Sequence, residues 1–209
     1  MSQKDYWEQV YSARPTEKLG WFEPHLRTSL TWIRELRLGI DAPIIDVGGG
    51  ASTLADDLLE AGYHSITVLD ISEKALLSVK SRLGKRAESV TWLNGDITAI
   101  RLPSQYYELW HDRAVFHFLT APKQQQRYRE NLLRGLKPGG HLIIGTFAPE
   151  APPTCSGLPV QRYSKLELET VLGEEFDLER NHEELHTTPE GIEQVYLYCQ
   201  FRKATQSQL

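Results

Sequence analysis

The sequence predicts an α/β protein: an open, mostly parallel sheet with helices on both faces, ending in an antiparallel pair of strands. Three observations carry this. From Pro43 onward, short β-branched and aromatic runs alternate with amphipathic stretches. The first of these runs, Ile44-Ile45-Asp46-Val47-Gly48-Gly49-Gly50-Ala51-Ser52, passes from an apolar strand through a glycine turn towards a helix. Near the end of the chain, two extended runs over 175–185 and 191–202 are joined by Thr187-Thr188-Pro189-Glu190, a link short enough to require antiparallel pairing.

The elements follow in order. Tyr6, Trp7, Val10 and Tyr11 share one helical face, and Arg14-Pro15-Thr16 ends that helix. Phe22, Leu26, Leu30 and Ile33 predict the stripe of a second helix. Strands are expected at 44–47, 65–69, 90–93, 107–111 and 141–147, with helices over 53–60, 72–83 and 122–136. Gly62 and Gly84 stand where helix C-caps belong, and Pro138-Gly139-Gly140 stops the last of these helices. Residues 148–163 are too proline-rich for a helix and are expected to cross the active-site face. Ser164-Lys165-Leu166-Glu167 is a capping box, and Gly173 closes the short helix it opens. The tail, 203–209, is expected to fray.

Composition bounds the function. A chain of 209 residues suits one domain with a full core. A formal net charge of −5 argues against a broad nucleic-acid or membrane-surface role. No apolar run approaches the roughly 20 residues that span a bilayer, and Met1-Ser2-Gln3-Lys4-Asp5-Tyr6 lacks an apolar signal core. Cys155 and Cys199 have no metal-ligand spacing, so a reduced, cytoplasmic setting and no metal are expected.

Three acids follow three successive strands: Asp46; Asp70 in Val68-Leu69-Asp70-Ile71-Ser72; and Asp96 in Asn94-Gly95-Asp96-Ile97. Ligands of open α/β sheets bind at the carboxyl ends of strands. Asp70 can accept both ribose hydroxyls, Asp96 can accept from an exocyclic amine with Ile97 as an apolar wall, and Asp46 can attract an ammonium. A ligand with a cation, a ribose and an adenine is S-adenosylmethionine. A strand-end acid is also a common turn former; three in register with a glycine turn point to the ligand.

Residues 40–202 resemble the class I S-adenosylmethionine-dependent methyltransferases. Asp46–Ser52 matches that family's first motif, Asp70 its acid after the second strand, Asp96-Ile97 its adenine site, and Leu136-Lys137-Pro138-Gly139-Gly140 the lead into its fifth strand. The resemblance implies a Rossmann-like seven-stranded sheet of order 3-2-1-4-5-7-6, the last strand antiparallel, with residues 1–38 as a helical lid. It places Trp7, Tyr11, Trp21, Asp46, Gly48, Gly49, Gly50, Ser52, Asp70, Ile71, Gly95, Asp96, Ile97 and His111 at the cofactor. A nicotinamide-dependent oxidoreductase is a rival, but its turn needs a third glycine where Thr53 stands. A binding module without catalysis is a third reading.

On the substrate side, Leu109-Trp110-His111-Asp112-Arg113-Ala114-Val115-Phe116-His117 follows the fourth strand, which in the family lies beside the sulfonium. Arg113 can hold an anionic or planar group through its fork, His117 can take a proton, and Asp112 stands between His111 and Arg113; the alternative is an Asp112–Arg113 pair fastening a loop. Asp-Arg-Ala at this point is similar to thiopurine-type small-molecule methyltransferases, whereas related protein lysine methyltransferases carry Asp-Lys-Gly. The implied acceptor is a small molecule, a thiol or other soft nucleophile, with a protein lysine as the alternative. Cys155, Arg162 and Tyr163 are the loop residues of interest, Cys155 being read as an inert small residue. His182, Glu183, Glu184 and His186 are read as solvated edge residues. The whole chain is expected to be one domain, a monomer or weak homodimer, with a small-molecule substrate and neither a nucleic-acid nor a membrane partner.

Overall fold

The computed structural model of the chain describes residues 2–205. Strands β1 (Ile44–Val47), β2 (Ile66–Asp70), β3 (Val90–Asn94), β4 (Tyr107–Arg113) and β5 (Leu136–Phe147) run parallel. A small hairpin, β6 (Thr154–Cys155) and β7 (Leu158–Pro159), stands apart from them. β9 (Glu193–Lys203) enters antiparallel beside β5, and β8 (Phe176–Thr187) pairs with it at the edge. The main sheet has the order β3-β2-β1-β4-β5-β9-β8. This is the expected 3-2-1-4-5-7-6 arrangement with the hairpin counted in chain order.

Both faces of the sheet are covered, which is why its central strands are apolar without alternation. Ile44, Val68, Leu109 and Ile143 pack beneath α2 (Arg27–Glu35), α3 (Leu54–Glu60) and α4 (Glu73–Leu83). Ile45, Trp110, Leu142 and Ile144 pack beneath α5 (Pro122–Gly135) and α6 (Lys165–Leu172). The Ser164–Glu167 capping box read from sequence opens α6, and Ser72 caps α4 by accepting from the Ala75 amide at 3.2 Å.

Three expectations change. α2 starts only at Arg27, so Phe22 and Leu26 lie ahead of it; Pro24 disfavours helical backbone at Glu23 and keeps this stretch a turn. The proline-rich loop contains β6–β7, closed by Ser156 (φ 52°) and Gly157 (φ 77°) in the left-handed conformation of a two-residue hairpin turn. The tail is anchored further than expected, because Lys203 Nζ donates to the Leu136 carbonyl at 2.8 Å and the Ala204 amide to Glu175 at 2.9 Å; residues 206–209 lie outside the described residues.

The N-terminal helix α1 (Gln3–Ala13) has no buried residue, although Trp7 and Tyr11 face inward. It crosses the carboxyl ends of the strands. Glu8 accepts from the Glu73 and Lys74 amides at 2.7 and 3.3 Å, so α1 caps the start of α4. Tyr6 donates to the Ser156 carbonyl at the hairpin tip.

Gly48 adopts φ +68°, and a Cβ there would lie 1.9 Å from Val115 Cγ2. Gly48→Ala is therefore expected to destabilise the fold by about 1–3 kcal/mol through overpacking. A urea midpoint equal to that of the unsubstituted protein would show that the β1 turn and the β4 exit are not in tight contact.

Candidate functional site

The strand ends converge under α1 on two adjoining cavities. Trp21, Gly48 and Arg113 line both. The first cavity takes in Trp7, Tyr11, Asp70, Ile71, Gly95, Asp96 and Ile97. The second takes in Asp46, Gly49, Ser52 and His111. Every residue expected at the cofactor except Gly50 lines one or the other. Gly50 lies at the rim, where a Cβ would come within 2.7 Å of both Asp70 Oδ2 and the Tyr11 hydroxyl.

Each acid is held differently. Register sets Asp46 directly opposite His111 on β4, and His111 Nδ1 lies 2.7 Å from Asp46 Oδ1 while Nε2 lies 2.8 Å from the Ser29 hydroxyl. A carboxylate only accepts, so Nδ1 carries the hydrogen. Asp46 Oδ2 is buried with no partner. Asp70 accepts from the Ser72 amide at 2.7 Å. Burial pushes its carboxyl up to about 7; the Ser72 amide opposes this, and the nearby Asp46 and Glu8 charges add to it. Asp96 accepts from the Thr98 amide and hydroxyl through Oδ1, at 2.7 and 2.8 Å. Ser52 accepts from the Leu54 amide at 3.1 Å and opens α3.

The roof is aromatic. Trp7 stands edge-to-face with Trp21 and with Phe118, at centroid separations of 5.5 and 5.1 Å, and Tyr11 lies 5.9 Å from Trp21. Such an assembly favours a cation.

The structure corrects the readings of the β4 exit. Arg113 is buried, and its fork is occupied: Nε donates to the Tyr198 hydroxyl at 2.8 Å, one terminal nitrogen to the Trp21 carbonyl at 2.9 Å, and the other to Glu23. The guanidinium also lies 4.4 Å above the Tyr196 ring. It ties the Trp21–Glu23 segment to the sheet, and its fork is taken up by these partners. Asp112 lines neither cavity and does not pair with Arg113. It accepts from the Val115 and Phe116 amides at 3.0 and 3.3 Å and from the Tyr128 hydroxyl at 2.7 Å, which shapes the turn after β4. His117 also lines neither cavity. Its Nδ1 accepts from the Phe147 amide at 3.2 Å, and burial, then the Arg113 charge, push its pKa down to about 3.

Sequence reasoning missed the partners of this clamp. Glu23 lines the second cavity and meets His186 Nδ1 at 3.0 Å, while His186 Nε2 faces the Gly20 carbonyl at 2.6 Å. Burial raises the Glu23 carboxyl, but His186 and Arg113 more than offset this and hold it below the usual range. His186 is therefore no solvated edge residue; His182 and Glu183 beside it are exposed as expected. Only the position of Glu23 beside Trp21 and Pro24 hinted at a role. Cys155 faces the first cavity, and burial pushes its thiol up to about 11. Among the described residues no group of acids, histidines and cysteines could hold a metal, and no helix is long and apolar enough to cross a membrane.

Comparison with known proteins finds similar methyltransferases. The profile of a methyltransferase domain matches residues 44–140. The eEF1A lysine and N-terminal methyltransferase of Mus musculus is 24% identical over 126 residues, which are 60% of this chain and 18% of that protein. The chain thus spans less than a fifth of that relative's length. A structure from work on the conversion of a disulfide bond into a thioacetal group during echinomycin biosynthesis superposes with a TM-score of 0.77 at 17% identity, covering 98% of this chain and 94% of that one. The N-methyltransferase NodS from Bradyrhizobium japonicum, solved with S-adenosyl-L-homocysteine, superposes with a TM-score of 0.73 at 20% identity, covering 97% and 99%.

Removing the buried Arg113 side chain leaves the half-buried Glu23 facing only His186. Arg113→Ala is expected to cost about 3–5 kcal/mol of stability, and Arg113→Lys to restore only part of it, because an ammonium cannot reproduce the fork. Urea denaturation reads both; equal stability of the lysine variant and the unsubstituted protein would argue against the clamp.

Proposed function

We propose that this chain, which carries a class I S-adenosylmethionine-dependent methyltransferase domain, transfers the methyl group of S-adenosylmethionine to a small-molecule nucleophile. The observation that carries the reading is that Asp70 and Asp96 line one cavity and Asp46 the cavity adjoining it, with Gly48 and Trp21 shared between the two. The residues fit the parts of that cofactor. The unpartnered Asp46 Oδ2 suits the ammonium, Asp70 the ribose hydroxyls, and Asp96 with Ile71 and Ile97 the adenine. Gly48, Gly49 and Gly50 let the backbone come close, Gly95 and Ser52 complete the walls, and His111 orients Asp46. Trp7, Tyr11 and Trp21 cover the cation from above. Bound there, the cofactor supplies an electrophilic methyl group.

The chain's own contribution is alignment and exclusion of water. α1 closes the cleft through Glu8 and Tyr6, and Arg113 ties the Trp21 loop to the sheet. Holding a nucleophile in line with a carbon can supply several kcal/mol of the barrier. The roofed, largely apolar acceptor end favours a small molecule over a protein side chain. The relationship to the mouse lysine and N-terminal methyltransferase supports the alternative, a protein lysine. A transfer assay with radiolabelled donor against small thiols, amines and cell lysate separates the two. Label in extractable product supports the proposal; label confined to protein bands supports the lysine.

Asp70 makes cofactor binding pH-dependent. Ionised, it accepts from the ribose; protonated, it offers one acceptor fewer. With its carboxyl pushed up to about 7, affinity should rise as the pH increases through 7 and level off above it. A site that binds only in the ionised form is about tenfold weaker at pH 6 than at pH 8. Asp70→Asn should weaken binding by about 1–3 kcal/mol and flatten this slope. Calorimetry across the pH range reads both, and a slope that persists in the variant assigns it to another group.

A further inference from the structure

We propose that Glu23 is a cofactor-holding residue: its carboxylate meets the amino group of the bound cofactor together with Asp46, so that one ammonium bridges the sheet and the segment above it. This rests on the methyltransfer reading above and adds a residue to its cofactor site.

The two acids approach the glycine turn from its two ends. Asp46 enters it from β1, and a Cβ on Gly49 would lie 2.5 Å from Asp46 Oδ2. That oxygen is buried with no hydrogen-bond partner, and Gly49 and Asp46 both line the second cavity. Glu23 comes from the segment ahead of α2. Its carbonyl accepts from the Thr53 hydroxyl at 3.4 Å, just past the turn, and Glu23 lines the same cavity. The Arg113 and His186 contacts of its carboxylate both fall on Oε1. Oε2 is the oxygen they leave for a ligand.

Charge and valence select the group that fits. Burial works against the ionised form of Glu23, but His186 and Arg113 more than offset it and keep the carboxylate charged. An ionised carboxylate only accepts. Asp46 Oδ2 and Glu23 Oε2 therefore ask for a donor that serves two acceptors at once. A primary ammonium has three N–H donors and a positive charge, and charge-assisted hydrogen bonds are about twice as strong as neutral ones. A hydroxyl has a single hydrogen to give, and a sulfonium has none. In S-adenosylmethionine the aliphatic ammonium stands on the amino-acid end. Asp46 belongs to the sheet, whereas Glu23 shares its segment with Trp21, whose carbonyl Arg113 holds at 2.9 Å. An ammonium held by both acids stitches the floor of the cleft to its roof.

The test is calorimetry on the full chain with two ligands. S-adenosylhomocysteine carries the amino-acid end; 5′-methylthioadenosine keeps the adenosine and the thioether but lacks it. Glu23→Gln keeps the length of the side chain and an acceptor for Arg113 while removing the charge. It is expected to weaken S-adenosylhomocysteine about tenfold and to leave methylthioadenosine nearly unchanged. Glu23→Asp, charged but one methylene shorter, is expected to fall between Glu23→Gln and the unsubstituted protein. A residue that only fastens Arg113 and the Trp21 segment would affect both ligands alike. An equal loss for the two ligands, or an unchanged S-adenosylhomocysteine affinity in Glu23→Gln, overturns the assignment. Should Glu23→Gln not fold, Glu23→Asp decides by the same comparison: a loss confined to S-adenosylhomocysteine supports the assignment, and any other result overturns it. Failure of the unsubstituted protein to bind S-adenosylhomocysteine overturns the methyltransfer reading beneath it instead.

Discussion

The buried guanidinium of Arg113 joins the two halves of this molecule. It stands at the last residue of β4, at the centre of the sheet, yet its partners come from both ends of the chain. The Trp21 carbonyl and Glu23 belong to the N-terminal segment ahead of α2; Tyr198 and Tyr196 belong to β9. Without that cation, Glu23 would be a half-buried carboxylate facing only His186, and the Trp21 loop would lose its tie to the sheet floor. Buried pairs of this kind add little net stability over an apolar replacement but strongly penalise the loss of one partner. Their effect is to fix one arrangement. Here that arrangement brings Trp21 over the cleft, where it meets Trp7 and Tyr11.

A second constraint acts at the strand ends. Asp46 and Asp70 are both buried and close enough for their charges to interact. The fold accommodates them unequally. Asp46 receives a histidine by register across β1 and β4, whereas Asp70 receives the Ser72 backbone amide at the start of α4. Glu8 then adds a third negative group at that same helix start. The helix dipole favours anions there, so one helix end serves both the cavity-facing Asp70 and the docking of α1. The Glu8 charge lies near enough to Asp70 to help raise its carboxyl.

What was legible in the sequence follows from distance along the chain. The glycine turn, the Ser164 cap, and the alternation of strand and helix depend on residues a few positions apart, and all are present. The strand-end acids were legible for the same reason: Asp46, Asp70 and Asp96 each close a local pattern. The fates of Asp112, Arg113 and His117 were not. Their residue types suggested chemistry, but what decides their roles comes from afar: Tyr128 for Asp112, Glu23 and Tyr198 for Arg113, Phe147 for His117. His186 shows the same limit. On an isolated edge strand it reads as solvated, and only the return of the Gly20–Glu23 turn buries it.

The β4 exit thus contributes rigidity where its composition suggested reactivity. Ala114 follows Arg113 with φ at +69°, a conformation that costs a non-glycine residue of order 1–3 kcal/mol and persists only where its surroundings enforce it. Those surroundings are Asp112, which gathers the Val115 and Phe116 amides, and the Ala114 amide itself, bonded to the Gly145 carbonyl at 2.9 Å. The result is a stiff turn that carries Val115 against Gly48 and Phe118 against Trp7. A displacement reaction at carbon requires that donor and acceptor be held in line and kept dry. A chain that commits its ionisable groups to holding this turn and its lid suits such a reaction, because geometry is what the reaction asks of it.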